Sequence, residues 1–276
     1  MNPLKLLRRF IVFLLLTILT QTGGVIYLVN TLLYKTIRQK IKQKWGTRLA
    51  ATITFVLLYS SINFLIVPVI ARALGRVPLP FTTTNHLKPL NRLTYLLNRN
   101  YVQRPLREAA YEVAAQMDKK YPGTETNYLD ANFPFINGFG LLPHLSHNDG
   151  KKLDLAFYYI DNQTSLPSNT APSFIGYGIS EDPATGESNT AEDCGKQGYW
   201  QYSMLNNIVP QGNKTRYAFD GQKTKEMVDL FAAQAVIGKI FIEPHLKTRL
   251  HLTTSKIRFH GCRAVRHDDH LHVQLR

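Results

Sequence analysis

The first 80 residues contain no aspartate or glutamate, and two long runs within them carry no charge at all. The runs extend over 24 residues from Phe10 to Leu33 and over 23 residues from Leu49 to Ala71. A helix crosses the apolar part of a bilayer with about 20 residues, whereas the apolar part of a signal peptide spans roughly 7–15. The pattern therefore predicts a two-helix transmembrane hairpin over residues 1–75.

The basic residues around these runs predict an orientation. Six lysines and arginines lie between the runs, from Lys35 to Arg48, and three precede the first run, at Lys5, Arg8 and Arg9. Short loops rich in Lys and Arg stay in the cytoplasm. We therefore expect a cytoplasmic loop, with the amino terminus and everything after Ala71 on the opposite side of the membrane.

The remainder of the chain has an ordinary charge balance. Residues 1–80 hold 11 lysines and arginines, whereas residues 81–276 hold 22 against all 19 acids. A nucleic-acid protein needs a basic face on its folded part, so we expect no nucleic-acid partner. The two cysteines, Cys194 and Cys262, both lie in this part. They either pair in an oxidising compartment or remain free thiols.

Hydrophobic periodicity and turn residues predict an α+β domain over residues 91–276, a small antiparallel sheet flanked by helices. Arg76 to Leu90, with three prolines, is predicted to be a linker. The other predicted segments are a helical stretch over Asn91–Tyr121 that is split at Pro105, a strand over Leu153–Ile160, a polar loop over Asn162–Cys194, a helix over Thr224–Gly238 and a terminal strand over His270–Leu275.

Histidines are concentrated in two short segments of this domain. Five of the nine fall there, namely His144, His147, His267, His270 and His272. Six residues, one of them Gly150, separate His147 from Asp154, which suits a loop, a tight turn and a strand that begins near the aspartate. On a strand, residues two apart share a face, so His270 and His272 should project together.

Two histidines and a carboxylate are a ligand set typical of catalytic zinc. Such a site uses three protein ligands and leaves a fourth position open, and zinc lowers the pKa of bound water to about 7. The additional imidazoles are available for proton transfer. We therefore predict that the sheet carries a Zn²⁺ site.

The two segments resemble the penicillin-insensitive murein endopeptidases. These belong to a superfamily with lysostaphin, the D-Ala-D-Ala carboxypeptidases and dipeptidases, and the hedgehog signalling domain. The shared pattern is a histidine, six residues, an aspartate and a later His-x-His, here carried by His147, Asp154, His270 and His272. The block His267-Asp268-Asp269-His270-Leu271-His272 is more specific to the endopeptidases, and the resemblance covers about residues 130–276.

The resemblance implies roles for individual residues. The implied zinc ligands are His147, Asp154 and His272. The implied catalytic residues are His270, as base or as stabiliser of the tetrahedral intermediate, and His267 and His144, whose roles are less defined. Asp268 and Asp269 are candidates for orienting these imidazoles. Tyr158, Tyr159 and Trp200 are either substrate contacts or core residues, and core packing is favoured for each.

The implied function is a membrane-anchored zinc D,D-endopeptidase that hydrolyses the peptide cross-links of bacterial peptidoglycan. Its partners are then the wall peptide and the lipid bilayer, and its catalytic domain lies on the periplasmic side of the cytoplasmic membrane. Two alternatives remain: a D-Ala-D-Ala carboxypeptidase or dipeptidase, and a non-catalytic zinc-stabilised binding module. Histidines beyond the ligand set, His270 and His267, argue against a purely structural metal.

Overall fold

The computed structural model describes residues 3–276 and begins with a group of packed helices. Their bounds are α1 Pro3–Thr20, α2 Gly23–Lys40, α3 Lys44–Ser61, a π-helical turn over Ile62–Ile66, and α4 Val67–Ala73. Large apolar side chains remain exposed on these helices, among them Phe10, Leu15, Leu32, Leu57, Leu65 and Val69. Exposed apolar surface of this extent is typical of a region that contacts a membrane or another protein.

The first uncharged run is broken by a sharp reversal at Gln21 and Thr22. Gln21 adopts a φ of 64°, and two glycines follow at the start of α2. A Cβ atom on Gly24 would lie 1.9 Å from Thr17 Oγ1 and 2.7 Å from the Phe13 carbonyl oxygen. Only glycine allows so close an approach. Helix α2 therefore folds back along α1 instead of continuing it.

The predicted two-helix transmembrane hairpin is therefore wrong. Within residues 3–276, one helix is long and apolar enough to cross a membrane, the 30-residue stretch Lys44–Ala73 formed by α3, the π-helical turn and α4. Helices α1 and α2 have 18 residues each, and each also carries three lysines or arginines. The reversal at Gln21 divides the first apolar run into two pieces too short to span a bilayer core.

The globular part is an α+β domain, as predicted, but its central sheet is mixed and not the antiparallel sheet expected from the sequence. Its strands are β1 Arg76–Pro78, β2 Leu87–Pro89, β3 Tyr101–Gln103, β4 Thr126–Tyr128, β5 Lys152–Ala156, β6 Tyr159–Asp161, β7 Leu166–Ser168, β8 Tyr217–Phe219, β9 Ile237–Phe241, β10 Ile257–Arg258 and β11 His270–Leu275. Its helices are α5 Leu93–Leu96, α6 Arg104–Lys120, α7 Thr190–Lys196, α8 Met204–Ile208, α9 Gly221–Ala233 and α10 Pro244–Arg249, with a 3₁₀ turn over Trp200–Ser203.

The central sheet has six strands in the order β10-β9-β11-β5-β4-β2. Strand β11 is antiparallel to both β5 and β9, whereas the outer pairs β10–β9 and β2–β4 are parallel. One face of β5 and β11 presents Leu153, Leu155, Leu271 and Val273 to a core that α6 and α9 complete. Since side chains alternate along a strand, the opposite face is left for Asp154, His270 and His272.

Several local predictions differ from the structure. The stretch predicted as helical over Asn91–Tyr121 is interrupted by β3, and the predicted polar loop contains β7 and the start of α7. The segment predicted as a linker contains β1, which pairs with β3, and β2, which joins the central sheet. The strand predicted over Leu153–Ile160 is divided between β5 and β6, which belong to different sheets. The helix predicted to reach Gly238 ends at Ala233, because Ile237 and Gly238 already belong to β9. Each of these pairings joins residues distant in sequence, which local periodicity does not report.

Candidate metal centre

Strand register brings two of the predicted metal ligands face to face. His272 on β11 lies opposite Asp154 on β5, and the His272 Nδ1 atom is 2.8 Å from Asp154 Oδ1. His147 reaches the same point from the loop before β5. Its Nε2 atom lies 3.1 Å from His272 Nδ1 and 3.3 Å from Asp154 Oδ1. The three residues thus converge although 125 positions separate His147 from His272.

The loop that carries His147 is fixed at both ends. Gly150 takes a φ of 79°, which permits the tight turn predicted between His147 and Asp154. The buried guanidinium of Arg76 donates to Asn137 Oδ1 at 2.5 Å and to the Asn148 carbonyl oxygen at 3.4 Å. His147 itself is oriented by its Nδ1 atom, which lies 2.5 Å from the Ala131 carbonyl oxygen. An Nδ1–H donor there leaves the Nε2 lone pair directed at the site.

A buried histidine and carboxylate group at this point is able to hold a metal ion. The ligand atoms of His144, His147 and Asp154 all lie within 4.8 Å of one another, and all three residues are buried. The donor atoms of His147, Asp154 and His272 are 2.8–3.3 Å apart. Tetrahedral ligands with bonds of 2.0–2.1 Å are about 3.3 Å apart, so this second set also fits a small cation.

The charge state of the group favours a cation as well. Burial opposes ionisation of Asp154, but the imidazoles around it, His147 and His270 foremost, hold the pKa of Asp154 well below its ordinary value. Burial lowers the pKa of His272 to about 3 and lowers the pKa of His144. Among residues 3–276, no lysine or arginine forms an ion pair with Asp154. Buried charges are paired or coordinate metals, and neutral imidazoles are metal ligands.

Three further imidazoles surround this centre. His270 Nε2 lies 3.7 Å from Asp154 Oδ2 and, although buried, makes no hydrogen bond within the described chain. The His267 ring centroid lies 4.9 Å from that of His270, and the His144 ring stacks on His270 at 5.6 Å. Burial lowers the pKa of His267 well below its usual range. For His270 burial acts in the same direction, but Asp154 and Asp269 raise its pKa to about 8.

The two neighbouring aspartates have different partners. Asp269 Oδ1 contacts His270 Nδ1, and Asp269 Oδ2 accepts a hydrogen bond from the Gly178 amide at 2.5 Å. Asp268 instead forms an ion pair with Arg266 and lies 3.9 Å from His245 Nε2. The predicted orienting role therefore fits Asp269, which fixes the His270 ring, and does not fit Asp268.

A tyrosine that the sequence did not reveal belongs to the site. The Tyr177 hydroxyl donates to Asp154 Oδ2 at 2.9 Å and accepts from the Asp130 amide at 3.1 Å. Its ring packs edge-on against His144 and His270, with centroids 4.5 and 4.8 Å away. Tyr177 lies in the predicted polar loop, between Gly176 and Gly178, both at positive φ. The Gly-Tyr-Gly sequence was the only local signal.

A sixth histidine near the centre was also missed. The His260 ring stacks on Phe241 at 4.1 Å and lies 5.2 Å from His267 and 5.9 Å from His272, between ring centroids. Burial lowers the pKa of His260 to about 4. His260 follows β10, which pairs with β9, so its position depends on strand order and not on a motif.

The centre lies in a cleft of about 530 Å³, one wall of which is fixed by a disulfide. Cys194 and Cys262 are bonded, and the adjoining residues Trp200 and Arg263 line the cleft. Trp200 is 73% exposed, so the expected core packing is wrong for this residue. Tyr158 and Tyr159 are buried in the core, as favoured.

Comparison with protein-family models and with curated protein sequences finds no match to this chain. The function is therefore inferred from the chemistry of the centre and from the resemblance of its two histidine segments.

Proposed function

We propose that this protein is a membrane-anchored zinc D,D-endopeptidase acting on the peptide cross-links of peptidoglycan. The observation that carries the proposal is the convergence of Asp154, His147 Nε2 and His272 Nδ1 in a cleft. Further imidazoles that are not in this proposed ligand set line the same cleft. Three protein ligands with an open fourth position are the arrangement of catalytic zinc, whereas structural zinc is enclosed by four.

Different residues would bind the metal, transfer the proton and orient the imidazole in the proposed reaction. His147 through Nε2, His272 through Nδ1 and Asp154 through Oδ1 would hold zinc, which when bound activates water and polarises the amide carbonyl. His270 Nε2 lies beside Asp154 and forms no hydrogen bond within residues 3–276, so it is the group placed to move a proton or to hydrogen-bond the oxyanion. Asp269 keeps that ring oriented through its Nδ1 atom.

A second candidate is a zinc-stabilised binding module. It is favoured by His144, whose Nδ1 atom lies 3.0 Å from Asp154 Oδ2 and whose side chain belongs to the buried group able to hold a metal. If His144 supplied a fourth ligand, the metal would be closed to water and would have a structural role. A carboxypeptidase or dipeptidase would use the same open site as the endopeptidase.

The decisive experiment incubates the full chain, purified in nonionic detergent and loaded with zinc, with cross-linked muropeptides, and identifies the products by mass. We expect dimers to be converted to monomers, with inhibition by chelators, recovery on adding zinc and no effect of penicillin, because the site uses no serine nucleophile. Loss of a terminal D-alanine without cross-link cleavage would indicate the carboxypeptidase. Zinc-loaded protein that leaves every muropeptide intact would support the binding module and refute the enzyme.

The membrane placement is argued from the helices and the disulfide. Lys44–Ala73 is long and apolar enough to span a bilayer. Because α2 folds back on α1, the cations of α1 lie at the same end as those around the α2–α3 connection; they are Lys5, Arg8, Arg9, Lys35, Arg38, Lys40, Lys42, Lys44 and Arg48. The positive-inside rule assigns that end to the cytoplasm. The disulfide agrees with a domain on the other, oxidising side.

This arrangement changes the prediction for the amino terminus. A two-span hairpin would put the amino terminus and the catalytic domain on the same side, whereas the reversal at Gln21 separates them. A reporter that is active only outside the cytoplasm is expected to be active when fused after Arg276 and inactive when fused before Met1. Activity at both positions would restore the two-span topology, and activity only at the amino terminus would place the domain in the cytoplasm.

A further inference from the structure

A cavity of about 680 Å³ lies between α1, α2 and α3, far from the metal centre. Asn30 Nδ2 donates to the Ala51 carbonyl oxygen at 3.1 Å, and Thr22 Oγ1 donates to Asn63 Oδ1 at 2.9 Å, so α2 and α3 run antiparallel. The cavity lies toward the end of this bundle where α2 connects to α3, because Tyr34 of α2 and Arg48 of α3 both line it.

Four cations line this cavity. They are Lys5, Arg8 and Arg9 from α1 and Arg48 from α3. Residues 1–80 contain no aspartate or glutamate. The side chains of Lys5, Arg8 and Arg48 form no hydrogen bond or ion pair with another described residue. Like charges gathered in this way repel one another, and a bound anion would offset the repulsive electrostatic energy.

The rest of the lining is suited to an amphiphile. Toward the interior of the bundle the walls are apolar, formed by Val12, Leu16, Ala51 and Phe55. Between these walls and the cations lies Asn30, which is 9% exposed and whose Oδ1 atom has no partner in the described residues. A hydroxyl group on the ligand would donate to that oxygen, and a buried acceptor left without a donor is destabilising.

We propose that this cavity binds one anionic phospholipid, with its phosphate among the cations and an acyl chain along the apolar wall. The cations lie where the cytoplasmic headgroups would be if Lys44–Ala73 spans the membrane as proposed above. Basic pockets between helices on that side of a membrane are suited to acidic headgroups. The lipid site rests on the proposed membrane placement and is independent of the metal chemistry.

Inorganic phosphate is an anion like the lipid headgroup, but it would not contact the apolar walls of the cavity. The experiment therefore titrates the full chain, in nonionic detergent, with phosphatidylglycerol, phosphatidylcholine or inorganic phosphate, and counts bound molecules by native mass spectrometry. Detergent removes the charged membrane surface, so only specific contacts retain a lipid. We expect one phosphatidylglycerol per chain, much weaker retention of phosphatidylcholine, and no displacement of the lipid by millimolar phosphate.

Two double variants test whether lipid binding depends on the cations that line the cavity or on other cations at the same end of the bundle. Arg8→Gln with Arg48→Gln removes two of the lining charges and is expected to weaken phosphatidylglycerol binding about 30-fold, since each basic residue near an acidic headgroup contributes about a factor of five. The control, Arg38→Gln with Lys42→Gln, removes two charges from the same end of the bundle that do not line the cavity. It should leave binding within about threefold of the unmodified chain.

Equal weakening by both double variants would overturn the proposal, because it would assign the binding to general surface charge. Displacement by inorganic phosphate would overturn it in favour of a simple anion site. Failure of the unmodified chain to float with phosphatidylcholine vesicles would instead refute the membrane placement. Muropeptide cleavage, measured on the same samples, tests the proposed enzymatic activity independently of lipid binding.

Discussion

His272→Ala is expected to lower zinc binding and muropeptide cleavage together, whereas His270→Ala is expected to lower only the cleavage. In the proposed ligand set His272 supplies Nδ1, so its loss would leave two protein ligands. His270 contacts Asp269 and directs Nε2 into the site, so its loss should leave the zinc in place. General acid–base groups contribute about 10²–10⁴-fold to a rate, which is the expected fall in turnover.

Zinc content by elemental analysis and cleavage rate by product mass separate these two outcomes. The exposed His251 provides a control, and His251→Asn retains a residue that tolerates the positive φ at this position. This variant should keep both zinc and activity. A His270→Ala protein with full zinc and near-normal cleavage would remove His270 from the mechanism, and zinc retained by His272→Ala would transfer the ligand role to His144.

Phenylalanine at Tyr177 is expected to weaken zinc binding by about 10–100-fold, the usual effect of removing a hydrogen bond to a ligand. The Tyr177 hydroxyl donates to Asp154 Oδ2, and without it this oxygen is less firmly oriented. The phenyl ring can still pack against His144 and His270, so the cleft should keep its shape. Competition with a chromogenic chelator measures the change in zinc affinity.

Tyr158→Phe is the matched control, because it also removes one buried hydroxyl from the same domain. The Tyr158 hydroxyl bonds to Thr126 Oγ1 at 2.7 Å and is not in contact with the metal centre. Tyr158→Phe should lose about 1 kcal/mol of unfolding free energy, the usual value of one buried hydrogen bond, and Tyr177→Phe, whose hydroxyl makes two hydrogen bonds, about 2 kcal/mol. Only Tyr177→Phe should change the affinity for zinc. An equal loss of zinc affinity in both variants would mean that Tyr177 acts through general stability.

Features that depend on short spacing along the chain could be predicted from the sequence alone. The alternation of His270 and His272 with Leu271 and Val273 fixed a strand with a polar and an apolar face, and that strand is β11. Gly150 between His147 and Asp154 indicated the turn that the backbone makes. The uncharged run from Leu49 to Ala71 predicted a helix long enough to cross a membrane, and residues 3–276 contain one such helix there. Side-chain periodicity and turn chemistry are local, so they can be read without a fold.

How these elements pack against one another depends on contacts between residues distant in sequence. Composition did not distinguish a continuous first span from two helices that reverse at Gln21, because the reversal is stabilised by distant partners. Asn98 donates to Thr22 Oγ1 at 2.9 Å and to Asn63 Oδ1 at 2.7 Å, and the Phe135 amide donates to Gln21 Oε1 at 2.8 Å. These polar contacts satisfy groups that a continuous helix would have left facing lipid.

Contacts between residues distant in sequence also explain why some residues of the candidate metal centre were missed. Tyr177 reaches Asp154 from a loop without periodicity, and His260 is positioned by the pairing of β10 with β9. Arg76, predicted to lie in a linker, is buried and binds the loop that carries His147. Hydrogen bonds between residues tens of positions apart leave no periodic signal. The predicted ligands His147, Asp154 and His272 could therefore be named from the sequence, whereas the groups that orient their side chains required the folded chain.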